Sequence, residues 1–200
     1  DLVYVAEMGS GAITALNVID FSVVAREIIG TTPRALAINS DGSQLYVSRF
    51  ISTADQAVVW ALDPTTLNLF NTIELSVDTT SLDTSTGGRG VPNYLSAIAI
   101  HPSNNEAVVV GKKDNIVRGM NRDGLPLNFE NSVRSVIAKL DLTTASEQLD
   151  SRIDIDNHAQ PSAAVFDQFG NYLFVAMQGN NRVLVMNPNT GQELARVEVE

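Results

Sequence analysis

The chain has 200 residues, 44% of them hydrophobic and 18% charged, which is a globular rather than a disordered composition. Its 13 basic and 23 acidic residues leave a net charge of −10, which disfavours general binding to nucleic acid or anionic membrane. There is no cysteine, which excludes disulfides, thiolate catalysis, Cys-zinc sites and covalent c-type haem attachment in this segment, and no run approaches the ~20 apolar residues of a membrane helix.

In chain order, the first apolar run is Leu2 to Ala6, followed across short turns by Ala12 to Asp20 and Val23 to Ile29. Pro33 to Asn39 comes next and closes in the turn Asn39-Ser-Asp-Gly42. Leu45 to Ser48, Ala57 to Pro64 and Leu69 to Leu75 then repeat the first three types. The cycle returns as Tyr94 to Ile100, the turn His101-Pro-Ser-Asn104, Ala107 to Val110, Ser135 to Leu142 and Gln148 to Ile155. It returns again as Pro161 to Phe166, Asp167-Gln-Phe-Gly170, Leu173 to Ala176, Arg182 to Pro188 and Glu193 to Val199. Asp or Asn with Gly between β-rich runs is hairpin chemistry, because Gly tolerates positive φ and Asn or Asp caps the turn. No stretch carries helical periodicity.

The repeating unit is therefore four strands, a to d. Strand a is rich in small residues (Ala35, Ala37, Ser96, Ala97, Ala99, Ser162, Ala163, Ala164), which suits the innermost position around a shared axis. Four-stranded repeats of about 40–45 residues predict an all-β fold, a β-propeller. A β-sandwich is the alternative, but it predicts no self-similarity of long period. The expectation is three complete four-stranded blades plus three strands of another, part of a seven- or eight-bladed propeller. Residues 1–200 form one partial domain: blade one at 1–31, lacking strand a, blade two at 32–76, blade three at 91–156 and blade four at 159–200. Asp1 is no natural start, so the sequence reads as a slice of a longer chain.

The repeat resembles the YVTN family of β-propeller repeats. The match lies in Leu45-Tyr-Val-Ser48, Leu62-Asp-Pro-Thr-Thr66, Asn71-Thr-Ile-Glu-Leu75 and Pro33-Arg-Ala-Leu-Ala-Ile-Asn-Ser-Asp-Gly42. A narrower likeness covers residues 89–142. Arg89-Gly-Val-Pro-Asn-Tyr-Leu-Ser96, Lys112-Lys-Asp-Asn-Ile-Val-Arg-Gly119, Arg122-Asp-Gly124 and Phe129 to Arg134 resemble bacterial secreted proteins that join a propeller to a di-haem cytochrome c peroxidase-like domain. That family would carry its Cys-x-x-Cys-His haem sites in the other domain, so no cofactor is expected in this segment. The resemblance implies a secreted, periplasmic or cell-surface location and a neighbouring domain or protein partner, haem-bearing in that family.

The repeat spacing is 42 residues from Val3 to Leu45, then 62 to Ala107 and 66 to Leu173. The extra residues fall at Ser76 to Asn93, a d–a link, and at Gly111 to Arg134, a b–c link. Strands alternate in direction, so these two kinds of link share one rim. Long loops on a rigid scaffold commonly carry function. Residues 89–139 hold seven basic and four acidic groups, while the rest of the chain holds 6 and 19. A positive patch on an acidic body steers anionic ligands or acidic partner surfaces.

The candidate binding residues are Arg89, Asn93, Lys112, Lys113, Asp114, Asn115, Arg118, Arg122, Asp123, Arg134 and His158. Two readings stand for them: ligand or partner contact, and internal bracing of the long loops. His158, in the link into blade four, is either a ligand or general base or an ordinary loop residue. His101 lies in an a–b turn on the other rim and reads as structural, and Trp60 and Tyr46 read as blade-packing residues. Asp78 to Asp83 is oxygen-rich without EF-hand spacing, and Gly87-Gly-Arg-Gly90 lacks a strand–helix context. No catalytic or metal constellation is expected.

The segment is thus expected to be a non-catalytic binding or scaffold module acting through the long-loop face of blade three. The alternatives are the propeller portion of a redox enzyme, a propeller lyase, and a cell-surface array.

Overall fold

The computed structural model describes residues 1–79, 89–114, 121–122, 125–126, 133–155 and 157–199, with the backbone alone at 121–122, 125–126 and 133. Its sheets follow one another along the chain. The first sheet holds β1 (Leu2–Glu7), β2 (Ala12–Asn17) and β3 (Val23–Ile28). The second holds β4 (Pro33–Ile38), β5 (Leu45–Arg49), β6 (Gln56–Leu62) and β7 (Leu69–Ser76). The third is built on β8 (Val91–Ile100) and β9 (Glu106–Asp114). After β9 come two short paired strands, β10 (Asn121–Arg122) and β11 (Leu125–Pro126). The third sheet then continues with β12 (Val133–Asp141), against which β13 (Ser146–Glu147) and β14 (Ile153–Ile155) both pair. The fourth holds β15 (Pro161–Phe166), β16 (Leu173–Met177), β17 (Arg182–Met186) and β18 (Glu193–Glu198). All pairings are antiparallel and sequential, the blade pattern the repeats predict.

The apolar runs of strands b and c in blades two and three are continuous because these blades are covered on both faces. Along β6, Ala57, Val59 and Ala61 turn toward the core shared with blade three, while Val58, Trp60 and Leu62 turn toward blade one. Along β9, Ala107 and Val109 face blade two, and Val108 and Val110 face blade four. Strand periodicity of two sends alternate residues to opposite faces. Each fully buried leucine or isoleucine there contributes ~1.5–3 kcal/mol. Tyr46 and Trp60 lie in these interfaces, and a Cβ at Gly30 would meet the Trp60 ring at 2.5 Å.

The small residues of strand a let neighbouring inner strands approach. Ser48 Oγ accepts from Ala35 N at 3.1 Å and donates to Leu95 O at 2.9 Å, stitching blade two to blade three. Ser96 Oγ donates to Pro161 O and so joins blade three to blade four.

One strand departs from expectation. The outer strand of blade three, read as Gln148 to Ile155, is split into β13 and β14 by a single 3-10 turn, Leu149–Ser151. The Arg152 guanidinium explains the break. It reaches Glu147 Oε1 at 2.6 Å and Oε2 at 2.8 Å, and it also donates to Ser76 O of blade two. Glu147 Oε2 in turn accepts from Ser76 N at 3.0 Å. The looped-out turn brings acid and base together as a clamp between two blades.

Candidate functional site

Blade three is raised where the described ends of the long links join it. β8 and β9 overrun the other blades, with Val91 opposite Asp114 and Asn93 opposite Lys112, and β12 extends alongside them through Val133 and Arg134. The isolated bridge between Asp78 and Gly90 ties the d–a link to the base of this extension.

Several predicted site residues are held inside it. Asn93 is buried; its Nδ2 donates to Asp114 Oδ2 at 2.9 Å and its Oδ1 accepts from Ser52 N at 2.8 Å. Lys113, with its side chain 4% exposed, pairs with Asp154 at 2.6 Å. Asp114 is buried, its Oδ1 has no hydrogen-bond partner, and burial pushes its carboxyl above the usual range. Arg134 is buried, while Arg89 and His158 are half-buried in the two d–a links. The His158 carbonyl accepts from Ser135 Oγ at 2.7 Å, fastening that link to β12. Arg122 lies on β10, and Asn115, Arg118 and Asp123 fall outside the described residues. The oxygen-rich Asp78 to Asp83 loop and Gly87-Gly-Arg-Gly90 also fall largely outside them. On the other rim, the His101 ring packs edge-on against Phe166 at 5.1 Å and bonds Ser103 Oγ through Nδ1, which is a structural role.

Lys112 differs from Lys113. It is half-buried, and its Nζ sits 4.4 Å from the centroid of the Tyr94 ring, at the edge of a cleft of about 360 Å3. The cleft opens on the b–c/d–a rim, where inner strands a begin and strands b end.

Three bulges build the cleft. In blade two, Pro33 pairs with Arg49 and Leu36 with Val47, so three steps on strand a match two on strand b. In blade three, Asn93 pairs with Lys112 and Ala97 with Val110, four steps against two. In blade four, Pro161 pairs with Met177 and Ala163 with Ala176, two steps against one. Bulges bend a strand and re-aim its side chains. The re-aimed residues Arg34, Tyr94, Ser96 and Ser162 all line the cleft. Gly111 makes the largest bulge feasible, since a Cβ there would meet Asn93 O at 2.6 Å.

Sequence reasoning missed most of these residues, although the repeat carries a signal for them. The pairs Ile38–Leu45, Ile100–Ala107 and Phe166–Leu173 fix equivalent positions in blades two, three and four. Four residues before the first partner stand Arg34, Ser96 and Ser162. Five residues after the second stand Phe50, Lys112 and Gln178, and all six line the cleft. Comparing side-chain chemistry at matched repeat positions, rather than loop lengths, would have found them.

Among the described residues, no group of three or more His, Cys, Asp or Glu could hold a metal ion, and no helix is long and apolar enough to cross a membrane.

No protein-family model matches the chain, and no curated protein matches it. Solved structures do. Hydrazine synthase from Kuenenia stuttgartiensis superposes with a TM-score of 0.72 at 14% identity, over 98% of this chain and 59% of that one. A putative 6-phosphogluconolactonase from Bacteroides fragilis gives a TM-score of 0.63 at 15% identity, over 100% of this chain and 52% of that one. The Cps50 (Swd1) beta-propeller domain of Myceliophteria thermophila gives 0.61 at 11% identity, over 100% and 52%. The chain thus spans between half and three fifths of the length of these structures. At such identities the likeness concerns architecture, and with the sequential four-stranded sheets it shows that the chain folds as blades of a β-propeller.

Proposed function

We propose that this segment is a non-catalytic binding module of a YVTN-type repeat protein, secreted, periplasmic or displayed on a bacterial surface. It engages its partner through the b–c/d–a rim at blade three. The observation that supports this reading is the contrast between Lys113 and Lys112. The first is consumed by Asp154, while the second stays at the surface of a bulge-built cleft, within the one positive stretch of an acidic chain. A partner with an acidic surface, a neighbouring domain or a separate protein, complements that rim.

Fluorescence anisotropy with a labelled poly-glutamate peptide tests the reading. The peptide is expected to bind in a salt-sensitive way, and Lys112→Glu should weaken it about tenfold through loss and reversal of one contact charge. Equal binding of a poly-lysine peptide, or no effect of Lys112→Glu, would sink it.

The redox reading keeps one support: a structure similar over 98% of the chain belongs to an enzyme, hydrazine synthase. In that case the propeller would accompany a haem-bearing domain, and an absence of haem absorbance in the full-length protein would exclude it.

A further inference from the structure

The cleft beside blade three has a chemistry of its own. Four side chains alternate along its wall. The Arg34 guanidinium lies 4.9 Å from the centroid of the Phe50 ring. Phe50 meets the Tyr94 ring edge-on at 5.2 Å, and Lys112 lies over Tyr94. Among the described residues, neither Arg34 nor Lys112 forms an ion pair. Among the described residues, no acidic side chain lines the cleft. The aromatic faces thus hold both cations at the cleft wall, where Lys112 also lies within electrostatic reach of Asp114.

Tyr94 presents its ring to the cleft from an uncommon backbone. It holds φ at 51°, a left-handed conformation that is unfavourable for an aromatic residue, and it is 36% exposed. The same left-handed φ recurs at Thr32 and Gln160, the matched positions of blades two and four, so the repeat sets this backbone and blade three places an aromatic ring on it.

We infer that this cleft, walled by Arg34, Phe50, Tyr94 and Lys112, binds a small organic anion: a single ring bearing a carboxylate or a phosphate. The anionic oxygens accept hydrogen bonds from the guanidinium and the ammonium, and the ring stacks on Tyr94. The volume of about 360 Å3 lies at the low end of the ~300–1,000 Å3 range of ligand pockets, which suits one ring rather than a dinucleotide. Gln160 and Gln178, both exposed at the cleft, supply donors and acceptors for ring hydroxyls. The inference rests on the binding-rim reading above but concerns a ligand inside the cleft rather than a surface laid over it.

Calorimetric titration of the full chain tests it, with phenyl phosphate and benzoate as probes against inorganic phosphate and benzyl alcohol. At least one aromatic anion is expected to bind about tenfold more tightly than either fragment, because ring and charge act together. Arg34→Met and Lys112→Met should each cost that probe about fivefold or more, and Arg196→Met, an exposed control, nothing. Tyr94→Gly keeps or raises the melting temperature, because glycine accepts the left-handed backbone, yet it abolishes the preference for a ring. That pairing separates a ligand platform from a structural tyrosine. The inference is overturned if no probe binds, if inorganic phosphate binds as well as phenyl phosphate, or if Arg196→Met matches Arg34→Met. Loss of small-anion binding with poly-glutamate binding retained overturns this inference alone and leaves the rim reading standing. Loss of peptide binding with phenyl phosphate retained does the reverse.

Discussion

The two rims of this propeller segment are built by different rules. The a–b/c–d rim repeats one turn chemistry. Asp63 Oδ1 accepts from Thr65 N and Thr66 N at 2.9 and 2.7 Å, and Asp141 Oδ1 from Thr143 N and Thr144 N at 2.8 and 3.0 Å. Asn187 Oδ1 accepts from Asn189 N and Thr190 N at 2.9 and 3.1 Å. The b–c/d–a rim shares backbone rather than side chains: Thr32, Tyr94 and Gln160 hold φ at 54°, 51° and 56° at matched positions, and each strand a bulges, but by different amounts. It also carries the strand extension of blade three, and only there does an aromatic ring stand on the shared left-handed position. Regular turns satisfy their own polar groups locally and present nothing new from blade to blade. An irregular rim brings different side chains to one place. The comparison teaches that scaffold and site occupy opposite ends of the same strands.

The body between the rims sets the scale for testing this. Arg152→Met leaves Glu147 buried without its partner, the side chains being 6% and 4% exposed in the pair. Removing one partner of a buried pair costs about 3–5 kcal/mol, which denaturant unfolding reads directly. The regular rim comes next. A Cβ at Gly170, where φ is 74°, would meet His101 Nε2 at 1.9 Å. Gly170→Ala should therefore cost about 1–3 kcal/mol, a fall of several degrees in melting temperature, with ligand binding unchanged. Asp141→Ala, which strips a turn of its cap, should cost ~1 kcal/mol, again with no effect on binding. The irregular rim should invert this pattern. Lys112→Met is expected to change stability by less than about 0.5 kcal/mol while weakening anion binding, because a partly exposed cation contributes little to folding. Equal losses of stability on the two rims would erase the distinction.

The smallest effect is in the pH dependence. Asp114 has a carboxyl pushed above its ordinary value of 3.8 by burial, with the Asn93 amide and Lys112 opposing the shift. A raised carboxyl means the folded protein holds its proton more tightly than the unfolded chain. Stability associated with Asp114 is therefore full below 3.8 and is lost as pH rises through the folded-state value. Thermal unfolding across the acid range should show Asp114→Asn flattening that slope. An unchanged profile would mean the irregular rim carries no strain in this carboxyl.

How much of this was legible beforehand differs by element. Strands b and c could be read because burial on both faces makes them continuous apolar runs, as in Ala107-Val-Val-Val110 and Ala57-Val-Val-Trp60. The a–b turns announced themselves through Asn39-Ser-Asp-Gly42 and Asp167-Gln-Phe-Gly170, where Gly42 and Gly170 take positive φ. The break after Glu147 was not legible, because it depends on Arg152 reaching Ser76, 76 residues away. The candidate site was legible only as a face. Charge and loop length pointed to blade three, and Lys112 was named for that reason, but Lys113 beside it has the same chemistry in sequence and the opposite fate in the fold.

By itself, the sequence determined the blades. The repeat of four β-rich runs, their small inner strands and their turn residues admit one sequential antiparallel architecture, because period-two burial and hairpin chemistry are local properties. The tertiary structure alone decided which polar residues are consumed and which are displayed. Whether a lysine on β9 meets Asp154 or stands over Tyr94 depends on which side of the strand it leaves and on how far three neighbouring bulges shift the inner strands toward one axis. Those are relations between blades, and no single repeat contains them.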